Sequence, residues 1–410
     1  MFCAFLWLLI KCMTPEKLRI AFATPEFVTE DYFDGGLSNY TNRVSKALAQ
    51  LGHDVHVITL STKNEDEFDH EGVMVHRVMP RRSWYRFNRL TASSLTTTLH
   101  WLNFSTQTYR KLKQLHRRQP FHLIQYPNYS PCGLFSIPLL RATHVVRASS
   151  YQPAWNDGAG VKRDVDSTVA GLLESLQYKL TRNVHAPSRA LQQKLRDARL
   201  LRTPFYLETR TWDSAVYDRF LRDKKYVLFF GRFQLHKGFH VLARALPRFL
   251  SHCRDAHVAL VGRDMETPLA PSMAAFARAQ CNGFGERLII VEKLPHSQLY
   301  PVIAGAQLVV LPSLIDNVPN ACLEAMGLGK VVIGTDGTSF EELITDGVNG
   351  FLVPPDDPEA LADKMIAAWT DDRVSTMSSA AKEKALEFAP EKTIPSLLSY
   401  YSEVLSNNHS

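Results

Sequence analysis

Two carboxylates eight residues apart, Asp316 and Glu324, bracket a stretch suited to holding an anion, DNVPNACLEAMGLGK (316–330). The apolar segment before it, AQLVVLPS (306–313), reads as a strand that runs out at Pro312. Pro319 suits the first position of the helix that follows, where a missing N–H costs nothing. The N–H groups of Asn320 and Ala321 would then have no helical partner and would aim at an anion. Asp316 lies in the loop before them and Glu324 inside the helix, so the acids share no helix face. That geometry disfavours a proton-sharing pair. It suits two acceptors that grip hydroxyl groups on either side of a phosphate.

Two further groups fit the same chemistry. In FFGRFQLHKGFHVL (229–242), Gly231 allows a sharp exit from a strand, and Arg232 and Lys237 bracket a short loop before a helix. Two cations there suit a diphosphate, each contact contributing roughly 1.5–3 kcal/mol; plain solvation at the surface is the other reading. In TPEFVTEDYFDGGLSNY (24–40), Gly35 and Gly36 stand directly before a helix. Backbone without Cβ can approach an anion there, although an ordinary loop-to-helix turn would look the same. The run is not G-x-G-x-x-G, so the dinucleotide fingerprint is absent and a dehydrogenase is disfavoured. Hydroxyls, then phosphates, then hydroxyls describe a nucleotide sugar.

The elements that must position these residues read as α/β. Short β-branched runs at LRIAFAT (18–24), DVHVITL (54–60), HLIQYP (122–127), THVVRAS (143–149) and RNVHAPS (182–188) suit strands buried on both faces. A second series follows at KKYVLFFG (224–231), AHVALVG (256–262), RLIIVEK (287–293), AQLVVLPS and KVVIGT (330–335). Helical stretches separate them, so two doubly wound units fit, with a break in the poorly periodic residues 200–223. A chain of 410 residues is too long for one ordinary core, which agrees. Its 45% hydrophobic and 21% charged residues are an ordinary globular composition. Six scattered cysteines form no ligand cluster, which argues for a reducing compartment and against structural zinc. MFCAFLWLLI at residues 1–10 is shorter than the ~20 residues a membrane span needs. Met13 offers an alternative start; a weak tether or an uncleaved signal are the other readings.

GRxxxxKG, the run in which an acid and seven further residues lead to E-A-M, and DGVNGFLVPP (346–355) resemble the retaining GT-B glycosyltransferases of the glycosyltransferase 4 type. DGGLSNY matches the Gly-Gly loop of that family, and the order of elements matches from about residue 18 to 405. The resemblance implies two Rossmann-like domains facing a cleft. It implies an acceptor-side domain at 13–207 after an uncertain extension at 1–12, a nucleotide-sugar domain at 208–388, and a final helix at 389–410 packing back on the first domain. By the same resemblance Arg232 and Lys237 bind the diphosphate, Glu324 the ribose and Asp316 the donor sugar. Gly35 and Gly36 close over the phosphates, and Asn320 and Ala321 belong to the same donor site. Transfer would retain configuration, with no cofactor and no metal ion, the nucleoside-diphosphate sugar being the donor substrate.

Two departures stand out. Asp316 replaces the usual Glu, and Ser149 stands where the family's R-x-H-G motif has its His. A serine cannot become cationic near neutral pH, so either the acceptor pocket is unusual or another residue, such as His144 or His185, does that job, although His185 reads better as a packed strand-end residue. A nucleotide-sugar 2-epimerase of the same fold, or a non-catalytic nucleotide-sugar-binding protein, are the alternatives. The expected acceptor is a cell-envelope glycan or a lipid-linked one. Between Glu71 and Asp157 there are twelve basic residues and no acid, with Trp84, Tyr85, Phe87, Trp101 and Phe104 interleaved with the first cluster. That bias points to an anionic membrane surface, hence a cytoplasmic enzyme docked on the inner face of the membrane, and not to nucleic acid.

Overall fold

The computed structural model describes residues 17–31, 35–81, 95–149, 164–195, 197–207 and 211–407. Arg82, Arg86, Arg89, Trp84, Tyr85 and Phe87, and the apolar extension at 1–12, lie outside the described residues; Trp101 and Phe104, expected on a docking surface, are instead buried. The chain divides into two units, one ending at Pro204 and regaining the chain from Pro390, the other spanning Phe205–Ala389.

Unit 1 begins with β1 (Arg19–Thr24), α1 (Gly36–Gln50) and β2 (Asp54–Leu60). A hairpin of β3 (Glu67–His70) and β4 (Val73–Val78) follows, then α2 (Thr96–Arg118), β5 (Leu123–Pro127), α3 (Ser136–Leu139) and β6 (Thr143–Arg147). It closes with α4 (Val165–Lys179), β7 (Val184–Ala186), α5 (Arg189–Lys194) and β8 (Arg199–Leu200). The sheet runs β3-β4-β2-β1-β5-β6-β7-β8, and only β3 is antiparallel to its neighbour. All six residues of β1 are buried, which is why its sequence is apolar without alternation. Ile20 and Phe22 face a cluster with Val44 and Leu48 of α1, while Ala21 and Ala23 face Phe104 and Leu112 of α2. Full burial of the larger of these side chains, such as Ile20, Phe22 and Phe104, contributes about 1.5–3 kcal/mol each.

Unit 2 begins with α6 (Ala215–Phe220), β9 (Lys225–Phe230), α7 (Phe239–His252), β10 (Ala256–Val261), α8 (Met273–Gln280) and β11 (Leu288–Val291). It continues with α9 (His296–Gly305), β12 (Leu308–Val310), α10 (Asn320–Gly327), β13 (Val332–Thr335), β14 (Gly350–Val353), α11 (Pro358–Trp369) and α12 (Val374–Leu386). Its sheet is wholly parallel, in the order β11-β10-β9-β12-β13-β14. The chain winds outward from β9 in one direction and from β12 in the other. The adjacent pair β9 and β12 is therefore the switch point, and ligands of such sheets are sought beyond its carboxyl ends.

The last helix, α13 (Pro390–Asn407), returns to unit 1. Ile394, Leu397, Leu398, Tyr401 and Val404 recur at helical spacing and join the cluster over β1 and α1. The Tyr401 hydroxyl donates to Gln125 Oε1 at 2.6 Å, inside that core.

Candidate functional site

At the switch point of unit 2, β9 ends on Phe230 and the chain turns off at Gly231, whose φ is 134°. Arg232 follows, then a single 3₁₀ turn over Leu235–Lys237, then Gly238 at φ 65° opening α7. A Cβ on Gly238 would sit 1.7 Å from the carbonyl oxygen of Pro312, so only glycine lets this loop lie against the one after β12. The Leu314 N–H donates to the His236 carbonyl at 2.9 Å and fastens the two loops together. The His236 imidazole is buried, and burial together with neighbouring Lys237 and Arg232 pushes its pKa down to about 4. It is neutral at pH 7 and adds no third charge.

The loops bring together residues far apart in the chain. Lys237 Nζ donates to Asp316 Oδ2 at 2.6 Å. The Asp316 carbonyl accepts from the Ser339 hydroxyl at 2.7 Å, which holds the loop by its backbone. Arg232 is half-buried and has no ion-pair partner among the described residues. The helix α10 begins at Asn320, with Pro319 as its N-cap. This corrects the expected first helical position for Pro319: its carbonyl already accepts from the Cys322 and Leu323 N–H groups, at 2.9 and 3.2 Å. Asn320 and Ala321 are thus the first helical residues, and their N–H groups take no backbone partner among the described residues. The Asn320 Oδ1 is buried and likewise unpartnered. Glu324, one turn further on, is buried, with its Oε1 3.6 Å from His296 Nε2. Arg232, Lys237, Asp316, Asn320, Ala321 and Glu324 therefore all lie on the two elements that follow β9 and β12. The arrangement joins cations, free N–H groups and carboxylates, which suits a phosphate flanked by hydroxyls.

In unit 1, Gly35 is the N-cap of α1 and Gly36 its first residue. The Glu26 carboxylate already accepts from the Ser38 N–H at 3.2 Å. Ser149 donates its N–H to Asn128 Oδ1 at 2.5 Å and accepts from Arg147 at 3.0 Å. The Arg147 guanidinium is buried 3.8 Å over the Tyr40 ring and also donates to Thr203 at 3.2 Å. Burial lowers its pKa from the usual range. His185 is buried against Gln125 at 3.3 Å, and burial pushes it down to about 3. His144 stacks on Tyr126 and bonds the Leu140 carbonyl through Nε2 at 3.0 Å. Both histidines are buried in unit 1, where burial favours their neutral forms. Five of the twelve basic residues are also engaged within this unit: Arg77 with Glu30 at 2.7 Å, Lys111 with Glu67 at 2.7 Å, Arg110 with Gln107 at 3.3 Å, Lys113 over the Tyr109 ring, and Arg147.

Residues 224–371 match the sequence profile of "Glycosyl transferases group 1", and residues 35–205 that of "Glycosyl transferase 4-like domain". The chain belongs to the group 1 glycosyltransferases. Among relatives of this glycosyltransferase is the phosphatidyl-myo-inositol mannosyltransferase of Mycolicibacterium smegmatis. It is 22% identical over 345 residues, which cover 83% of this chain and 82% of that one. The D-inositol 3-phosphate glycosyltransferase of Paenarthrobacter aurescens is 26% identical over 409 residues, covering 91% and 94%. Sucrose-phosphate synthase from Thermosynechococcus elongatus shares the fold with a TM-score of 0.73 at 19% identity, over 95% of this chain and 100% of that one. An Anabaena protein, HepE, in complex with UDP-glucose shares it with a TM-score of 0.68 at 16% identity, over 95% and 100%. The fold is thus GT-B, and the reaction is sugar transfer from a nucleotide sugar.

Two residues of the glycosyltransferase escaped the motif reading. His296 faces Glu324 from the start of α9, and only its place after a strand-end loop, in LPHSQLY, could have singled it out. Glu26 sits two residues beyond β1, in the loop where ligands of such sheets are sought. Among the described residues, no three His, Cys, Asp or Glu side chains are placed to share a metal ion. No described helix is long and apolar enough to cross a membrane.

Proposed function

We propose that the enzyme moves a hexosyl group, with retention of configuration and without a metal ion, from a nucleoside-diphosphate sugar to a hydroxyl-rich cell-envelope acceptor. The observation that carries this reading is the pairing of two cations, Arg232 and Lys237, with the free N-terminus of α10 at one switch point. As the bond from the anomeric carbon to the diphosphate breaks, negative charge grows on the leaving oxygen. Arg232, the α10 N–H groups and Lys237, once the bound donor has drawn it from Asp316, then stabilise that charge. Glu324 accepts from the ribose hydroxyls and Asp316 from those of the sugar. Relatives named for an inositol lipid and an inositol phosphate favour an acidic, polyol-containing acceptor, lipid-linked or free. The acid-free stretch between Glu71 and Asp157 favours docking on an anionic membrane surface.

Turnover with a panel of nucleotide sugars and envelope extract tests the reading. Arg232→Ala and Lys237→Ala should each lower kcat/KM by the equivalent of roughly 2–4 kcal/mol. Near-wild-type turnover in either variant overturns the phosphate assignment, and strong inhibition by EDTA overturns metal-free transfer. Co-sedimentation with anionic but not neutral vesicles, reversed by salt, tests the docking on its own.

A further inference from the structure

We propose that Asp316 makes the enzyme prefer loaded donor over spent nucleotide, because its carboxylate competes with the diphosphate for Lys237. The inference rests on the donor-site reading above. Lys237 and Asp316 lie 2.6 Å apart, with only 29% and 13% of their side chains exposed, so water screens the pair weakly. Their backbones are fixed independently of that contact. Lys237 sits between the His236–Leu314 bond and Gly238, which is wedged against Pro312. Asp316 is held through its carbonyl by Ser339. The cation meant for phosphate is therefore already occupied by the acid meant for the sugar. Arg232, by contrast, has no ion-pair partner among the described residues.

The two ligands meet this pair differently. A free nucleoside diphosphate ends in a phosphate monoester carrying about −1.5 to −2 charges, and esterification by the sugar removes about one of them. The spent nucleotide has to draw Lys237 away from Asp316 while bringing the larger charge beside the carboxylate. It offers Asp316 no hydroxyl from a sugar in exchange. The donor offers hydroxyls that donate to the carboxylate as Lys237 turns to the diphosphate, so the exchange leaves both groups paired. Once the sugar has been transferred, those hydroxyls are gone and Asp316 reclaims Lys237. The carboxylate that grips the donor sugar thereby also helps to expel the product.

The test is calorimetric titration of the full chain with UDP and GDP, and with UDP-glucose and GDP-mannose, using whichever base binds. Asp316→Asn should bind the free diphosphate about tenfold more tightly than wild type, with donor affinity unchanged or reduced. Asp316→Ser should do the same, and Asp316→Glu, which keeps the charge, should restore the wild-type order. Lys237→Ala should weaken both ligands, and on that background Asp316→Asn should have less than about a third of its effect. If Asp316→Asn and Asp316→Ser leave diphosphate affinity unchanged or lower it while Lys237→Ala weakens it, the competition is wrong and the donor site stands. If Lys237→Ala leaves diphosphate affinity intact, the donor site itself is wrong. Melting temperatures identify any unfolded variant, and the Asn or Ser variant that remains folded decides the matter.

Discussion

The loops after β1 and after β9 do the same topological job, each leading from the first strand of a sheet into its first long helix. Their electrostatics are opposite. After β1 the protein turns its own anion on the helix: Glu26 accepts from Ser38 at the start of α1. The nearby cation of that unit, Arg147, is buried under Tyr40. After β9 Arg232 is half-exposed with no ion-pair partner among the described residues, Lys237 is held at its tip by Asp316, and the neighbouring helix α10 starts with N–H groups that have neither a carboxylate nor a backbone partner among the described residues. A helix N-terminus is thus only potentially an anion site. What decides is whether the fold supplies its own carboxylate or leaves the charge for a ligand.

The glycines of the two loops separate them most sharply. Gly238→Ala should destabilise unit 2 by more than ~3 kcal/mol and abolish nucleotide binding, because its Cβ would run into a backbone oxygen at positive φ. Gly35→Ala should cost only about 1 kcal/mol, since its Cβ meets the movable end of Glu26 at 2.6 Å and its φ is an ordinary −121°. Denaturant titration of both variants measures the gap; equal losses would show that the first loop is as tightly constrained as the second.

The pH dependence of unit 1 gives the next test. Glu174 on α4 is buried, with one carboxylate oxygen unpartnered, and burial raises its pKa from 4.5 to about 8. Between those values the folded chain holds a proton that the unfolded chain has released. Stability therefore falls as pH rises through the window, by roughly 3 kcal/mol between pH 4.5 and 7. Glu174→Gln should flatten that slope and stabilise the protein at pH 7. An unchanged slope in urea melts from pH 5 to 8 would mean that Glu174 is charged and paired, and unit 1 would then resemble unit 2 more than its contacts indicate.

The smallest effect concerns Glu26 itself. Glu26→Gln should cost about 1 kcal/mol through the weakened cap on α1 and leave nucleotide affinity within about twofold. A clear rise in affinity would break the comparison, because it would show that α1 accepts a phosphate once its own carboxylate is removed.

Much of this was legible beforehand, for local reasons. Ten of the fourteen described strands stand where β-branched apolar runs predict them, since burial on both faces demands such runs; β8, two residues long, and the edge strand β14 lie outside those runs, as do β3 and β4. The hairpin of β3 and β4 was not legible. Its turn, Glu71-Gly72 with φ of 55° and 87°, lacks the Asn or Asp that usually marks such geometry, and β3 is largely exposed. Pro319 stands one position before the first helical residue that its type predicts, because a proline suits either side of the boundary and only the bonds to its carbonyl decide.

By itself the sequence determined the two series of strands, the glycines at tight exits, and the residue types a nucleotide sugar needs. Each of these depends on neighbours a few positions away. Tertiary structure alone decided which of those residues meet. Lys237 and Asp316 are 79 positions apart and touch because β12 pairs with β9. Arg147, His144 and His185 sank into the core because neighbouring strands and helices close over them. Strand order and burial are set by the summed packing of the whole sheet, and no short stretch of chain carries that sum.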